Sequence, residues 1–313
     1  MRWYILSRLL ALLPLLFALS LLIFLLLHLI PGSAAAVILA DAATPENVAA
    51  LETQLGLDDP LPVQYGRWIV RVVQGDLGVS LVNGRPVAAT LLARLPVTFS
   101  LAVGALLVGI VLGLGIGMLA GLRPGSLFDR ISLLAASLGM ALPVFWLALL
   151  LVLWFAVELR WLPAVGYTPL SQSMSGWARS LLLPWLALGL PTSGMLARQM
   201  RSALQTALQA PYIQAIRATG VDGWALLLRH ALRHALLTMV TLIGFQMTRM
   251  IGGAFLVERV FAMPGMGSLA TTAVLERDLP LIQGVMLVTA CLVVLINLLV
   301  DLCYGWLDPR VRL

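Results

Sequence analysis

The run LLALLPLLFALSLLIFLLLHLI, residues 9–30, decides the class of fold because it contains no Asp, Glu, Lys or Arg. It has 22 residues, and about 20 apolar residues are enough for a helix to cross the hydrocarbon core of a bilayer. The small residues Ser33-Ala34-Ala35-Ala36 that follow resemble a signal-peptide cleavage site, but the apolar core of a signal peptide has only about 7–15 residues. The sequence therefore predicts a retained membrane-spanning helix here.

The composition of the whole chain is also that of a membrane protein. Hydrophobic residues make up 61% of the 313 positions and charged residues 11%, whereas a soluble domain has about a quarter of its residues charged. All 20 basic residues are arginine, and the 14 acidic residues leave a net charge of +6. These arginines are scattered between apolar stretches, so they do not indicate nucleic-acid binding. We expect an all-α integral membrane protein in a lipid bilayer.

Six apolar stretches are long enough to cross a bilayer. They are residues 5–30, 97–121, 131–157, 181–203, 236–257 and 281–305. With the N-terminus inside, the inner segments hold 11 Arg and 3 acidic residues, and the outer segments hold 8 Arg and 10 acidic residues. The positive-inside rule therefore places both termini in the cytoplasm. In the third span, Pro143 is expected to kink the helix because proline removes a backbone hydrogen bond.

The positions of the spans divide the chain into an N-terminal part with one span and a C-terminal part with five. Residues 1–96 are predicted to form the first transmembrane helix and a small extracytoplasmic cap. In this cap Thr44-Pro45-Glu46 begins one helix, and residues 62–74 form a second, amphipathic one. Residues 97–313 are predicted to form a five-helix core, which includes an inner loop, residues 198–234, that is far longer than a turn requires.

A short helix at the cytoplasmic surface is predicted inside this inner loop. Pro211 suits the first turn of a helix and Gly220 suits its C-terminal end, with about 15 Å of helix between them. Tyr212, Ile213 and Ile216 are expected to share one apolar face. Because so short a helix is not stable alone, it either rests on lipid headgroups or docks against a cytoplasmic partner.

Ordered sequence blocks along nearly the whole chain make it similar to the permeases of ABC importers, and more narrowly to those for dipeptides, oligopeptides, glutathione and nickel. The stretch from Tyr212 to Gly220, followed by Arg229-His-Ala-Leu-Arg233-His, resembles the EAA loop of that family. The other blocks are FLLLHLIPG at 24–32, LGLDDPLPVQY at 55–65, GDLGVS at 75–80, RPV at 85–87, PVFW at 143–146, WLPAVG at 161–166, GGAFLVE at 252–258, FAMPGMG at 261–267, RDLP at 277–280, NLLVD at 297–301 and DPR at 308–310. The resemblance implies a six-helix type I importer permease fold in the bacterial inner membrane.

The resemblance also implies partners and the residues that would contact them. A homologous second permease would complete the translocation path, two cytoplasmic ATPase subunits carrying ATP and Mg²⁺ would bind the loop, and an extracytoplasmic solute-binding protein would deliver cargo. The implied ATPase-coupling residues are Tyr212, Ala215, Ile216, Arg217, Gly220, Arg229 and Arg233. Ala215 and Gly220 would allow close packing, and the arginines would contact an acidic rim. Gln214 and Ile216 depart from the family pattern, which commonly has a carboxylate and a second alanine there.

The sequence contains no indication of an enzyme, a bound cofactor or a metal site. It lacks the G-x-x-x-x-G-K-[ST] motif that binds ATP phosphates and the G-x-S-x-G motif of serine hydrolases. His230 and His234 have the spacing of a zincin pair, but no glutamate base stands between them. A secondary transporter is the alternative from another class. It would be expected to have coupling charges and an inverted repeat, whereas no convincing repeat occurs here and only two charges lie well inside spans.

These two charges are Arg249 and Asp301. A charge at the centre of a span costs roughly 2.5–3.5 kcal/mol on insertion scales, so it should face a cavity or a partner group. Arg249, with Gln246 on the same helical face, is predicted either to line the substrate path and contact an anionic group of the cargo or to pair with a carboxylate such as Asp301. Asn297 and Asp301 are expected to form hydrogen bonds between helices.

The outer end of the fifth span is a candidate gate, because Glu258 and Pro264 lie at its predicted mouth. The cargo is predicted from the resemblance and from Arg249 to be a dipeptide, an oligopeptide or a glutathione-like molecule. Nickel or a metal chelate, imported by the same machinery, is the alternative. No inward cluster of ligand residues predicts a metal bound by the permease itself.

Overall fold

The computed structural model describes residues 2–29, 35, 39, 43–56, 58–221 and 223–307. The helices are α1 Arg2–His28, α2 Pro45–Leu55, α3 Leu61–Val73, α4 Val87–Leu122, α5 Leu127–Ala141, α6 Val144–Leu151, α7 Met174–Gln209, α8 Pro211–Ala218, α9 Gly223–Leu226, α10 Leu232–Val260, α11 Met266–Leu275 and α12 Leu279–Leu307. Wider π-helical turns continue α6 through Val152–Glu158 and join α9 to α10 through Leu227–Ala231. Within these residues no β-strand occurs, and the predicted all-α fold is confirmed.

Five helices are long and apolar enough to cross a bilayer. Their apolar segments are Leu10–His28, Val87–Leu122, Met174–Gln209, Thr238–Val260 and Leu279–Leu302. These segments agree with the predicted first, second, fourth, fifth and sixth spans. The motif residues at 30–32 and 308–310, the small residues 33, 34 and 36, and the predicted cytoplasmic C-terminus lie outside the described residues.

The third predicted span, residues 131–157, consists of two helices rather than one kinked helix. The axes of α5 and α6 differ by 105°. Leu142 has an extended backbone, with φ of −79° and ψ of 131°, as expected for a residue whose helical conformation would clash with the following proline. Pro143 also has no N–H to continue the helix. The predicted kink is therefore a break, and counting this bent pair as one span gives six spans in the described part of the chain.

Contacts between residues divide the chain into two compact units. The first contains residues 1–96 and 265–295, and the second contains residues 97–264 and 296–313. Residues 265–295 thus group with residues 1–96. The predicted division of the chain into residues 1–96 and 97–313 stays a prediction.

In the first unit, the cap consists of α2 and α3. Thr44 Oγ1 accepts a hydrogen bond from the backbone N of Asn47 at 3.3 Å and so caps α2. The predicted amphipathic helix is α3, and its Tyr65 hydroxyl lies 2.8 Å from the hydroxyl of Ser20 on α1. The Phe24 ring of α1 packs edge-on against the Tyr65 ring, with centroids 5.4 Å apart. Aromatic and hydroxyl contacts therefore hold the cap against the first transmembrane helix.

In the second unit, α4 and α7 approach closely along a stripe of glycines on α4. The stripe consists of Gly109, Gly113, Gly117 and Gly121. These residues are four positions apart and therefore lie on one face of the helix. A Cβ atom on Gly117 would lie 2.8 Å from Met200 Cβ and 2.9 Å from Ala197 Cα. Small residues at this spacing allow the backbones of transmembrane helices to pack directly together.

A buried ion pair joins α5 to α7 in the same unit. Arg201 Nε donates to one carboxylate oxygen of Asp129, and Arg201 Nη2 donates to the other at 2.8 Å. The side chain of Asp129 is 2% exposed and that of Arg201 is 23% exposed. The backbone N of Gly125 donates a third hydrogen bond to Asp129 at 2.8 Å. This contact fixes the start of the third span against the fourth, on the side that the arginine count assigns to the cytoplasm.

Candidate functional site

Helix α8 is the short helix predicted for the inner loop. Pro211 occupies its first turn, where the missing N–H of proline removes no helical hydrogen bond. Gly220 follows its end with a φ of +87°, a left-handed conformation that favours glycine. The predictions that the helix begins at Pro211 and ends at Gly220 are therefore confirmed to within two residues.

One face of α8 packs against the core of the second unit. Ile213 is fully buried, and Ile216 packs beside it, half-buried. The other buried members of this cluster are Met200, Leu204, Ala207, Leu226, Leu227, Ala231, Ala235 and Met239. Because burial of one isoleucine side chain contributes about 1.5–3 kcal/mol, these contacts hold α8 against its own chain.

The remaining surface of α8 is exposed. Tyr212 is 41% exposed, and Ala215, Arg217 and Gly220 are also exposed. Tyr212 was expected to share the apolar face of Ile213 and Ile216, but its side chain is 41% exposed and is not among the residues packed in that cluster. The exposed face combines an aromatic ring, a small side chain and a guanidinium group. Its contact with an ATPase stays a prediction.

Two further arginines of the inner loop, Arg229 and Arg233, are exposed. Arg229 lies in the wide turn before α10, and Arg233 lies in the first turn of α10. Residue 222 and the side chain of His234 lie outside the described part of the chain. Among the described residues, no group of three His, Cys, Asp or Glu side chains is arranged to hold a metal ion.

A cavity of about 230 Å³ lies in the second unit, where α5, α6, α7 and α10 meet. Its polar lining consists of Thr192, Gln246 and Arg249. Its apolar lining includes Met140, Val144, Leu188, Pro191, Met195 and Met250. An apolar pocket with a few polar groups is typical of a small-molecule site. Met140 precedes the break at Pro143 and Val144 follows it, so the broken third span contributes both of its helices to the cavity wall.

Arg249 lies at the centre of the fifth span. The apolar segment Thr238–Val260 extends 11 residues to either side of Arg249, which is about 16 Å of helix in each direction. Its side chain lines the cavity and is exposed in the single chain. Arg249 is in none of the ion pairs found among the described residues, and its alternative pairing with a carboxylate such as Asp301 stays a prediction.

The polar neighbours of Arg249 form hydrogen bonds within the second unit. Gln246 is 4% exposed, and its Nε2 donates to the Sδ of Met195 at 3.0 Å. Thr248 Oγ1 donates to Asn297 Oδ1 at 2.9 Å. This bond joins α10 to α12 and confirms that Asn297 forms a hydrogen bond between helices.

The two predicted gate residues lie at the outer end of α10. Glu258 is fully buried, and its Oε1 accepts a hydrogen bond from Thr98 Oγ1 at 2.5 Å. Its backbone carbonyl accepts from the N of Met263 at 2.8 Å, next to Pro264. The structure thus places Glu258 beneath the turn that leads to Pro264, and the gate itself stays a prediction.

The first unit contains a buried polar contact that sequence reasoning missed. Asp278 is fully buried and Ser80 is 4% exposed, and Ser80 Oγ donates to Asp278 Oδ2. The backbone N of Leu81 donates to the other oxygen at 3.2 Å. The two blocks GDLGVS and RDLP, both in predicted outer segments, therefore meet although 198 residues separate them. Both blocks belong to the sequence pattern of the resembling family, which was a signal that they are important. That pattern did not show that the two blocks are in contact.

The five long apolar helices and the bent helix pair are those of a multi-pass membrane protein. The chain belongs to the family described as "Binding-protein-dependent transport system inner membrane component", whose pattern matches residues 109–313. The N-terminal region of the same family matches residues 1–102. The type I ABC permease fold and the multi-pass inner-membrane location follow from this membership.

Three relatives illustrate the similarity. A peptide transport system permease protein of Brucella abortus (strain 2308) is 42% identical over 98% of both chains. A dipeptide transport system permease protein of Alkalihalophilus pseudofirmus is 37% identical over 99% of both chains. A glutathione transport system permease protein of Escherichia coli is 37% identical over 99% of this chain and 98% of the relative. The chain is therefore a permease subunit and not an enzyme, and its family operates with a solute-binding protein and ATPase partners.

Proposed function

We propose that this chain forms half of a translocation path for short peptides, with a homologous second permease forming the other half. Two ATPase subunits that bind ATP and Mg²⁺ drive the path from the cytoplasm, and an extracytoplasmic binding protein supplies the peptide. The relatives named as peptide, dipeptide and glutathione permeases support this cargo class.

The position of Arg249 carries the proposal. An arginine at the centre of a membrane-spanning helix is costly in contact with lipid, by roughly 2.5–3.5 kcal/mol on insertion scales. Arg249 has no ion pair among the described residues, and it lines a cavity. The open side of this cavity therefore faces protein or water, as half of a transport path would.

The guanidinium group also favours a particular cargo. Arginine binds a carboxylate with two parallel hydrogen bonds, and every peptide with a free C-terminus carries that group. A naked nickel dication would be repelled by the same charge. A nickel chelate with free carboxylates would not be repelled by Arg249. The test therefore measures nickel uptake with and without a chelator.

The exposed face of α8 is the proposed contact for the ATPases. Its inner face is held by Ile213, so a partner that moves α8 also moves the helices beneath it. A helix laid into the groove of a partner is a common mode of recognition. The exposed Arg217, Arg229 and Arg233 supply positive charge for acidic groups of that partner.

The test is uptake in a strain that lacks this gene and is complemented with variants. Labelled dipeptide, glutathione and nickel, the last with and without chelator, are supplied separately. Wild type is expected to restore dipeptide uptake, Arg249→Ala to abolish it and Arg249→Lys to restore part of it. Arg259→Ala is the matched control, because Arg259 is an exposed arginine at the end of the same helix and does not line the cavity.

Membrane levels of each variant, measured by immunoblot, separate loss of transport from loss of the protein. If the gene restores nickel uptake but no peptide uptake, the proposed cargo is wrong. If Arg249→Ala transports peptide as well as Arg259→Ala does, then Arg249 does not face the path.

A further inference from the structure

The cavity beside Arg249 has an apolar wall whose chemistry is not explained by binding a carboxylate alone. Three methionines, Met140, Met195 and Met250, lie in this wall with Val144 and Leu188. We propose that the cavity is a side-chain subsite, which takes the apolar C-terminal residue of a peptide while Arg249 holds the adjoining carboxylate. This inference rests on the proposed peptide transport and deepens it.

The size of the cavity limits what it holds. Its volume is about 230 Å³, whereas an apolar cavity of about 150 Å³ is enough to bind benzene. Sites for whole drug-sized ligands have about 300–1,000 Å³. The cavity therefore has room for one large side chain and its carboxylate, and the rest of the peptide would extend through its open side. It reads one end of the cargo.

The methionines make the subsite selective for apolarity rather than for one shape. Methionine is unbranched and polarizable, and it adapts to irregular ligands and to aromatic rings. Leucine, phenylalanine and methionine side chains are therefore all accepted. Hydrogen bonding of Gln246 to Met195 fixes one of these thioethers in the wall.

Charge and volume exclude other C-terminal residues. A C-terminal lysine or arginine would bring a second cation beside Arg249, and the cavity lining contains no carboxylate to balance it. A C-terminal glycine would leave the cavity unfilled, so part of the apolar contact would be lost. An amidated peptide would lack the charge that Arg249 binds.

The experiment uses the complete importer in cells and compares the uptake of Ala-Phe, Ala-Leu, Ala-Gly and Ala-Lys. The cavity is narrowed by Met140→Trp and widened by Met140→Ala. Because Met140 is 40% exposed, neither substitution introduces a clash or a cavity in a tightly packed core. Met174→Trp is the matched control, since Met174 is a 75% exposed methionine that does not line the cavity.

Wild type is expected to take up Ala-Phe and Ala-Leu faster than Ala-Gly and Ala-Lys. Met140→Trp should lower the ratio of Ala-Phe to Ala-Gly uptake by about tenfold, the low end of the discrimination that one methylene produces in an apolar pocket. Met140→Ala should change the ratio of Ala-Phe to Ala-Leu uptake, because it widens the apolar wall. Because the binding protein is the same in every strain, its own preferences cancel when each variant is compared with wild type.

Two results overturn the inference. One is that Met140→Trp lowers the uptake of all four dipeptides by the same factor while the membrane level of the protein is normal. The other is that neither Met140 variant changes the uptake ratios of Ala-Phe to Ala-Gly and of Ala-Phe to Ala-Leu. In either case gene-dependent dipeptide uptake in wild type would leave the proposed function intact. If no dipeptide depends on the gene, the proposed function fails first and the subsite fails with it.

Discussion

The buried ion pair between Asp129 and Arg201 predicts a large loss of stability when the arginine is removed. We choose Arg201→Met, which retains an apolar stem and removes the charge. At 2.8 Å and an effective dielectric constant of about 20, the attraction between these charges is about 6 kcal/mol before desolvation is subtracted. Removing one partner of a buried pair typically costs about 3–5 kcal/mol, because the other charge stays buried without compensation. In Arg201→Met the carboxylate of Asp129, which is 2% exposed, would be such an uncompensated buried charge.

The chain offers a matched control in the pair between Arg67 and Asp59. Its N–O distance is 2.6 Å, but the two side chains are 47% and 41% exposed. Exposed pairs contribute about 0.2–1 kcal/mol, so Arg67→Met should have little effect. The two pairs differ in burial and in the number of hydrogen bonds, because Arg201 donates two to its partner and Arg67 donates one.

The assay is thermal unfolding of the purified protein in detergent, followed by the fluorescence of its nine tryptophans. At about 2–4 °C per kcal/mol for a large chain, Arg201→Met should lower the midpoint by at least about 6 °C. The double variant Asp129→Asn with Arg201→Met should recover much of this loss, because neither buried charge remains. An equal fall for Arg201→Met and Arg67→Met would refute the reasoning.

Three other predictions follow from the described contacts. Gly117→Val should separate α4 from α7 and lower the unfolding midpoint, whereas Gly115→Val, where a Cβ atom meets nothing within 4 Å, should leave it unchanged. Ser80→Ala removes one hydrogen bond from the buried Asp278 and should cost about 1–3 kcal/mol in the same unfolding assay. Ile213→Ala should destabilise the protein by about 2–5 kcal/mol, whereas Tyr212→Ala should retain stability and lower the peptide-stimulated ATPase activity of the assembled importer. A stable Ile213→Ala variant, or full ATPase activity in Tyr212→Ala, would reverse the assignment of the two faces of α8.

Local signals account for what the sequence predicted correctly. Hydropathy located the five long apolar helices and the bent helix pair, because about 20 predominantly apolar residues are typical of a membrane-spanning segment. Pro211 and Gly220 located α8 because their backbone preferences act on their own positions. The resemblance to importer permeases, confirmed by the family match, depended on ordered motifs and not on contacts.

Contacts between distant residues could not be predicted in the same way. Asp129 and Arg201 are 72 residues apart, and Ser80 and Asp278 are 198 apart. In apolar helices most faces are apolar, so hydropathy does not indicate which face meets a neighbour. The four-residue spacing of glycines on α4 was the one readable signal of this kind, since small residues at that spacing mark helix contacts. The sequence also left the environment of Arg249 open, because an arginine in a span is satisfied equally by a carboxylate or by a cavity.

The break in the third span and the position of Arg249 lead independently to the same conclusion about one face of the second unit. Irregular backbone at membrane depth is tolerated only where it is buried in protein or lines a water-filled cavity. The break at Leu142 and Pro143 has Met140 on one side and Val144 on the other, and both line the cavity. Arg249, on a different helix, lines the same cavity and would be costly against lipid. Two features that a bilayer disfavours for different reasons, one of backbone and one of charge, therefore lie on one surface. In the proposed importer, cargo and a second permease cover that surface, so we expect lipid not to reach it.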